Sequence, residues 1–98
     1  MQSNSDDGGG RRRQKVTVIT KSGCHICESV IEDLQRLSEK YSFQLETLDI
    51  MNDAALFDKY WIKIPVVRLD GTDVLEVEQI AFPNERKRKL EAILSASL

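Results

Sequence analysis

Val16-Thr17-Val18-Ile19-Thr20-Lys21-Ser22-Gly23-Cys24-His25-Ile26-Cys27 is the stretch on which the reading of this chain turns. Its first five residues are β-branched throughout, which suits a short buried strand. Lys21-Ser22-Gly23 breaks the run. From Cys24 the period changes. Ile26, Cys27, Val30, Ile31, Leu34 and Leu37 recur at three- and four-residue steps, forming one apolar helix face, while Glu28, Glu32, Asp33, Gln35 and Arg36 fill the other. A Cys-x-x-Cys pair therefore falls at a strand-to-helix turn.

Outward from this turn the pattern continues. Phe43 to Ile50 mostly alternates apolar and polar residues and reads as a second strand. Asn52 or Asp53 can cap a short helix through Ala54, Ala55, Leu56, Phe57 and Tyr60, with Tyr60 and Trp61 read as packing residues. Pro65 opens a third strand, Val66 to Leu69. Asp70-Gly71 signals a hairpin turn, since glycine accepts the positive φ that such turns require, and Asp73 to Val77 returns as a fourth strand. Asn84 can cap a last helix that turns Leu90, Ile93 and Leu94 inward. Arg86-Lys87-Arg88-Lys89 lies early in that helix, against the dipole, and reads as a solvated face or a docking patch. The order is β-α-β-α-β-β-α. A right-handed crossover makes the first two strands parallel, and the hairpin adds antiparallel ones. The expected fold is α/β, a mixed four-stranded sheet flanked by three helices.

Residues 1–14 read as a polar, glycine-rich tail ending near Arg11-Arg12-Arg13, and residues 15–98 as one domain. A chain of 98 residues has no room for two cores. No stretch approaches the ~20 apolar residues of a membrane span. With 14 Lys+Arg against 16 Asp+Glu the net charge is −2, which does not fit a protein that binds nucleic acid along its surface. Neither a secretory signal nor a disulfide framework is read here, so a reducing compartment, the cytoplasm, is expected, with an organelle such as a mitochondrion or plastid as the alternative.

The chemistry rests on the two cysteines. A thiolate at a helix start faces unpaired backbone N–H groups and the positive dipole end, so the Cys24 thiol should sit below the ordinary cysteine value, with Lys21 adding charge. One turn on, Cys27 is placed to close a disulfide. Cys24 would attack a substrate disulfide and Cys27 would resolve the product, with His25 tuning the pair. Two rival readings stay open: inert helix cysteines, and a metal site. The latter has no second ligand pair in the chain, and no metal is expected.

Lys21-Ser22-Gly23-Cys24-His25-Ile26-Cys27 opening a helix, and Ile64-Pro65-Val66 before a hairpin, resemble glutaredoxins of the thioredoxin superfamily. The likeness is closest to the short branch with Gly-Cys-His-x-Cys and spans about residues 15–95. It implies a thiol–disulfide oxidoreductase with no bound cofactor and with glutathione as co-substrate. Catalytic Cys24 and Cys27 are implied, and a binding surface of Lys21, Ile64 and Pro65, to which this chain's own His25 and Lys63 are added as candidates. In such a fold Pro65 is cis and the Ile64 backbone pairs with an extended thiol substrate. Two departures stand out. Lys63-Ile64 replaces Thr-Val before the proline, and Glu76-Val77-Glu78-Gln79 stands where the family has a Gly-Gly pair followed by Asp. Expected partners are glutathione or protein disulfides, acting on a monomer, without nucleic acid or membrane. A non-catalytic adaptor on the same fold is the alternative, and a glutathione-assisted iron–sulfur carrier a third.

Overall fold

A computed structural model of the chain describes residues 14–96. The Arg11-Arg12-Arg13 run and the rest of the expected tail before Gln14 lie outside them. Four strands and four helices follow in order: β1 (Gln14–Thr20), α1 (His25–Leu37), β2 (Phe43–Asp49), α2 (Ala54–Tyr60), β3 (Val66–Leu69), β4 (Thr72–Leu75), α3 (Val77–Ile80) and α4 (Pro83–Ala96). A 3-10 turn, Ile50–Asn52, links β2 to α2.

The strands form one sheet in the order β2-β1-β3-β4. β1 runs parallel to β2, with Thr20 opposite Asp49, and antiparallel to β3, with Ile19 opposite Val66. Its central position explains its composition. Val16, Val18 and Ile19 are wholly buried and Thr17 nearly so, because helices cover both faces of this strand. Alternation then sorts the core into two halves. Val16, Val18 and Val67 pack with Val30 and Leu34 of α1, Ile80 of α3 and Leu90 and Leu94 of α4. On the opposite face Ile19 and Val66 pack with Ile50 and with Tyr60 of α2.

The hairpin turn takes the expected form, with φ of 49° at Asp70 and 88° at Gly71. Asp70 also ties the turn to β1. Its N–H donates to the Lys15 carbonyl (2.8 Å), and its carboxylate accepts from the Lys15 N–H (2.9 Å).

Three details differ from the sequence reading. The fourth strand ends at Leu75 and a fourth helix, α3, follows it. The Gln79 side chain accepts the Glu76 N–H (2.8 Å), and the Val77 N–H donates to the Lys63 carbonyl (3.2 Å), which draws both amides out of the strand ladder. α4 starts at Pro83 rather than after an Asn84 cap, since proline suits the first helical position, where its missing N–H has no partner to lose.

The third difference concerns the basic run. Arg86 is 6% exposed. Its Nε donates to Asp33 of α1 (2.6 Å) and its Nη1 to the Ile80 carbonyl (3.2 Å), so one guanidinium clamps α1, α3 and α4. Arg88 and Lys89 pair with Glu85 on their own helix. Arg86 is thus part of the core rather than of a solvated face or docking patch. Arg86→Ala would remove the guanidinium that joins Asp33 to the Ile80 carbonyl and leave Asp33 with Arg36 as its charged partner, and we expect a loss of about 2 kcal/mol in urea unfolding at an unchanged m-value.

Candidate functional site

The cysteine turn is built from the chain up. Gly23 has φ of 85°, a conformation that L side chains rarely adopt. It lets the chain leave β1 and present Cys24 as the N-cap of α1, with φ −91° and ψ 108°. The Cys24 sulfur accepts the Cys27 N–H at 3.2 Å, taking the place that a serine or aspartate oxygen fills in an ordinary cap. Cys24 and Cys27 are joined by a disulfide, their Cα atoms 5.2 Å apart. Cys24 is half-buried while Cys27 is fully buried, so the two sulfurs differ in access. Ile26 does not share the buried helix face: at 39% exposure it lies on the open side, between the two cysteines in sequence.

Ser22 ties this turn to the neighbouring strand. Its hydroxyl donates to Asp49 at 2.6 Å, at the end of β2. Asp49 also accepts the Met51 N–H (2.9 Å) and so caps the 3-10 turn. The Ser22 hydrogen bond, with help from the Met51 amide and the Lys21 charge, holds the Asp49 carboxyl below its ordinary value.

Sheet register brings the remaining predicted residues to the same end. Val66 pairs with Ile19, so Ile64 and Pro65 adjoin the end of β1 that leads into Lys21 and Cys24. The Ile64–Pro65 peptide is cis and Pro65 is buried. Lys63 is exposed, and its carbonyl anchors the start of α3. One expectation is corrected. The Ile64 N–H is not open to a substrate, because it donates to the Tyr60 carbonyl at the end of α2 (3.2 Å).

His25 projects into solvent, its side chain 95% exposed and 3.7 Å from Glu28. Lys21 is also exposed. The turn that stands for the missing Gly-Gly pair is occupied, since the Glu76 and Val77 amides are both used internally. Among the described residues no group of three or more His, Cys, Asp or Glu side chains is placed to hold a metal ion, and no helix is long and apolar enough to cross a membrane.

Two features escaped the sequence reading. Tyr60 packs inside as expected, but its hydroxyl also donates to Asp73 (2.7 Å) and accepts from Arg68 (3.0 Å), and Arg68 pairs with Asp73 directly (3.0 Å). Partial burial pushes the Asp73 carboxyl up, yet hydrogen bonds from Tyr60 and Arg68 outweigh it and hold the carboxyl below its ordinary value. Trp61, in contrast, is 57% exposed and stacks on Phe57, with ring centroids 6.4 Å apart and planes 8° from parallel. The i, i+4 spacing carried the signal: Leu56 and Tyr60 take the inner face of α2, which leaves Phe57 and Trp61 outside.

A family model described as a glutaredoxin-like domain matches residues 15–95. An uncharacterized Mycobacterium tuberculosis protein is 33% identical over 66 residues, covering 62% of this chain and 68% of that protein. A solution NMR structure of a Nitrosomonas europaea protein superposes with a TM-score of 0.67 at 26% identity, over 86% of this chain and 94% of that one. A thioredoxin from Fasciola hepatica gives 0.60 at 17% identity, over 86% and 80% of the two chains, which speaks for the fold alone.

Asp49 and Asp73 both have lowered carboxyl values in the folded protein. Their contribution to stability is complete above the unfolded-chain value of about 3.9 and is lost as pH falls through the lower folded-state values. Acid titration followed by circular dichroism should therefore show stability falling from about pH 4 downward. Asp73→Asn should flatten that fall.

Proposed function

Since the chain belongs to the glutaredoxin-like domain family, we propose that it is a thiol–disulfide oxidoreductase whose Cys24 is the attacking thiol and Cys27 the resolving one. The supporting observation is the asymmetric pair. Cys24 caps a 13-residue helix, its sulfur held by an N–H and within reach of solvent, while Cys27 is closed to everything but Cys24.

In the reduced protein the Cys24 thiolate keeps the Cys27 amide as a donor and faces the positive end of α1, which favours the anion. It attacks one sulfur of a substrate disulfide. The Cys24–substrate bond forms, the substrate S–S bond breaks, and one thiolate leaves and is protonated by solvent. Cys27 attacks the Cys24 sulfur, and its proton passes to the departing substrate sulfur. The second substrate thiol leaves and the Cys24–Cys27 disulfide closes, so two electrons have passed to the substrate. Two glutathione thiols then reduce the Cys24–Cys27 disulfide: the first forms a Cys24–glutathione mixed disulfide and frees the Cys27 thiol, the second frees Cys24, and the pair departs as glutathione disulfide.

Glutathione as reductant, with Lys21 and Lys63 at its carboxylates, is our reading of the family resemblance and of the two exposed cations at this end of the sheet. Because the Ile64 N–H is engaged, backbone pairing with the incoming thiol falls to the Ile64 carbonyl. His25, open to solvent and beside Glu28, is within reach of an approaching substrate.

The test is equilibration in glutathione redox buffers, acid quench and intact mass. We expect a reversible loss of two hydrogens in the wild-type protein, a stable single glutathione adduct in Cys27→Ser, and no reaction in Cys24→Ser. In a coupled assay on a small neutral disulfide Cys24→Ser should lose at least about a hundredfold in rate, the usual order for loss of a covalent nucleophile. An unchanged rate in Cys24→Ser would refute the reading.

A further inference from the structure

Resting on the oxidoreductase reading, we infer that the substrate disulfide belongs to a polypeptide segment with apolar and basic side chains, which docks on the outer face of α2 and the turns at its two ends. The segment 51–62 carries Met51, Phe57, Trp61 and Ile62, four of the six large apolar side chains exposed among the described residues, at 57%, 36%, 57% and 66%. Exposed apolar groups scatter singly on most small domains, and a concentration of them marks an interaction surface. Their type fits as well, since Met, Phe and Trp are enriched at the buried centres of interfaces. Phe57 and Trp61 are held in one stacked unit, so little side-chain entropy is left to lose on docking.

A cleft of about 310 Å³ opens beside this unit, lined by Met51, Asn52, Asp53, Ala54, Phe57 and Asp58 among others. Hydrogen bonds tie its rim to the cysteine turn: Ser22, two residues before Cys24, donates to Asp49, and Asp49 accepts the amide of Met51, which lines the cleft.

Charge selects the occupant. Asp53 uses its carboxylate to cap α2, accepting the Ala55 and Leu56 N–H groups, and no ion pair to Asp53 or Asp58 occurs among the described residues. The apolar wall and two carboxylates that make no ion pair match Lys or Arg, whose long stems are apolar and whose heads are cationic. A second copy of this chain fits poorly, because a two-fold contact would bring the same carboxylates towards each other. A tripeptide thiol with one ammonium and two carboxylates also lacks the length and the net positive charge to use the cleft.

Trp61 is the only tryptophan, and at 57% exposure its emission reports on this face directly. The probe is a synthetic peptide with Leu and Phe beside Lys residues and Ser in place of cysteine, so that binding is read without redox chemistry. Its companion has Glu in place of each Lys. We expect the basic peptide to shift Trp61 emission to the blue with saturation and the acidic one to leave it unchanged. Asp53→Asn/Asp58→Asn should weaken the basic peptide about fivefold at low salt, an effect that added salt removes. Asn keeps the helix cap, so the double variant should stay folded.

The disulfide-linked versions of the two peptides, and a small neutral disulfide, are then assayed for turnover. The wild-type protein should prefer the basic peptide, and Asp53→Asn/Asp58→Asn should lose that preference with the small disulfide rate unchanged. Equal binding of both peptides, or a Trp61 emission that shifts with protein concentration alone, would overturn the inference while leaving the redox reading intact. Absence of turnover on every disulfide, with binding of the basic peptide preserved, would refute the redox reading and leave the docking face standing.

Discussion

β1 lies between a parallel and an antiparallel neighbour, and most of the molecule follows from the burial this imposes. Helices cover both of its faces, so Val16 to Ile19 must be compact and free of charge. The parallel partner requires a crossover, which is α1, and the crossover has to begin where β1 ends. The antiparallel partner brings its own first residues to that same end. The cysteine turn, Asp49, the 3-10 turn, Ile64, Pro65 and the start of α3 therefore converge on one end of the sheet although 54 positions separate Gly23 from Val77 in sequence.

Polar ties then hold that end in register. Ser22 to Asp49, Asp49 to Met51, Val77 to Lys63 and Gln79 to Glu76 each join a loop to a neighbouring element. At the far side the Arg86–Asp33 pair does comparable work among α1, α3 and α4, and the carbonyls of Ile80 and Ala81 supply the additional hydrogen bonds that a buried guanidinium needs. The same economy explains the Tyr60–Arg68–Asp73 group on the α2 face, where a buried ring ends in a hydroxyl that finds both a donor and an acceptor.

The cysteine turn was legible because its signals are local. A β-branched run, a glycine at positive φ and a cysteine at the first apolar step of a helical period are all read within a dozen residues, and Cys24 is where they place it. The assembly at this end of the sheet was legible only through a family resemblance. α3 was misread because Val74, Leu75 and Val77 look like continued strand, and its start is set by a contact to Lys63 from the far side of the hairpin. Arg86 was misread because a charge run has the same appearance whether a carboxylate waits on another helix or not.

The amino-acid order by itself determined the elements other than α3, the direction of the first crossover, the hairpin and the cysteine pair at the helix start, since each depends on the conformational preference of neighbouring residues or on side-chain period. Only the tertiary structure decided which amides remain open beside the cysteines, which cation is a core clamp, and that Phe57 and Trp61 face outward as a stacked pair. Those outcomes depend on what the opposite element offers across several ångströms of space, and no local pattern carries that information.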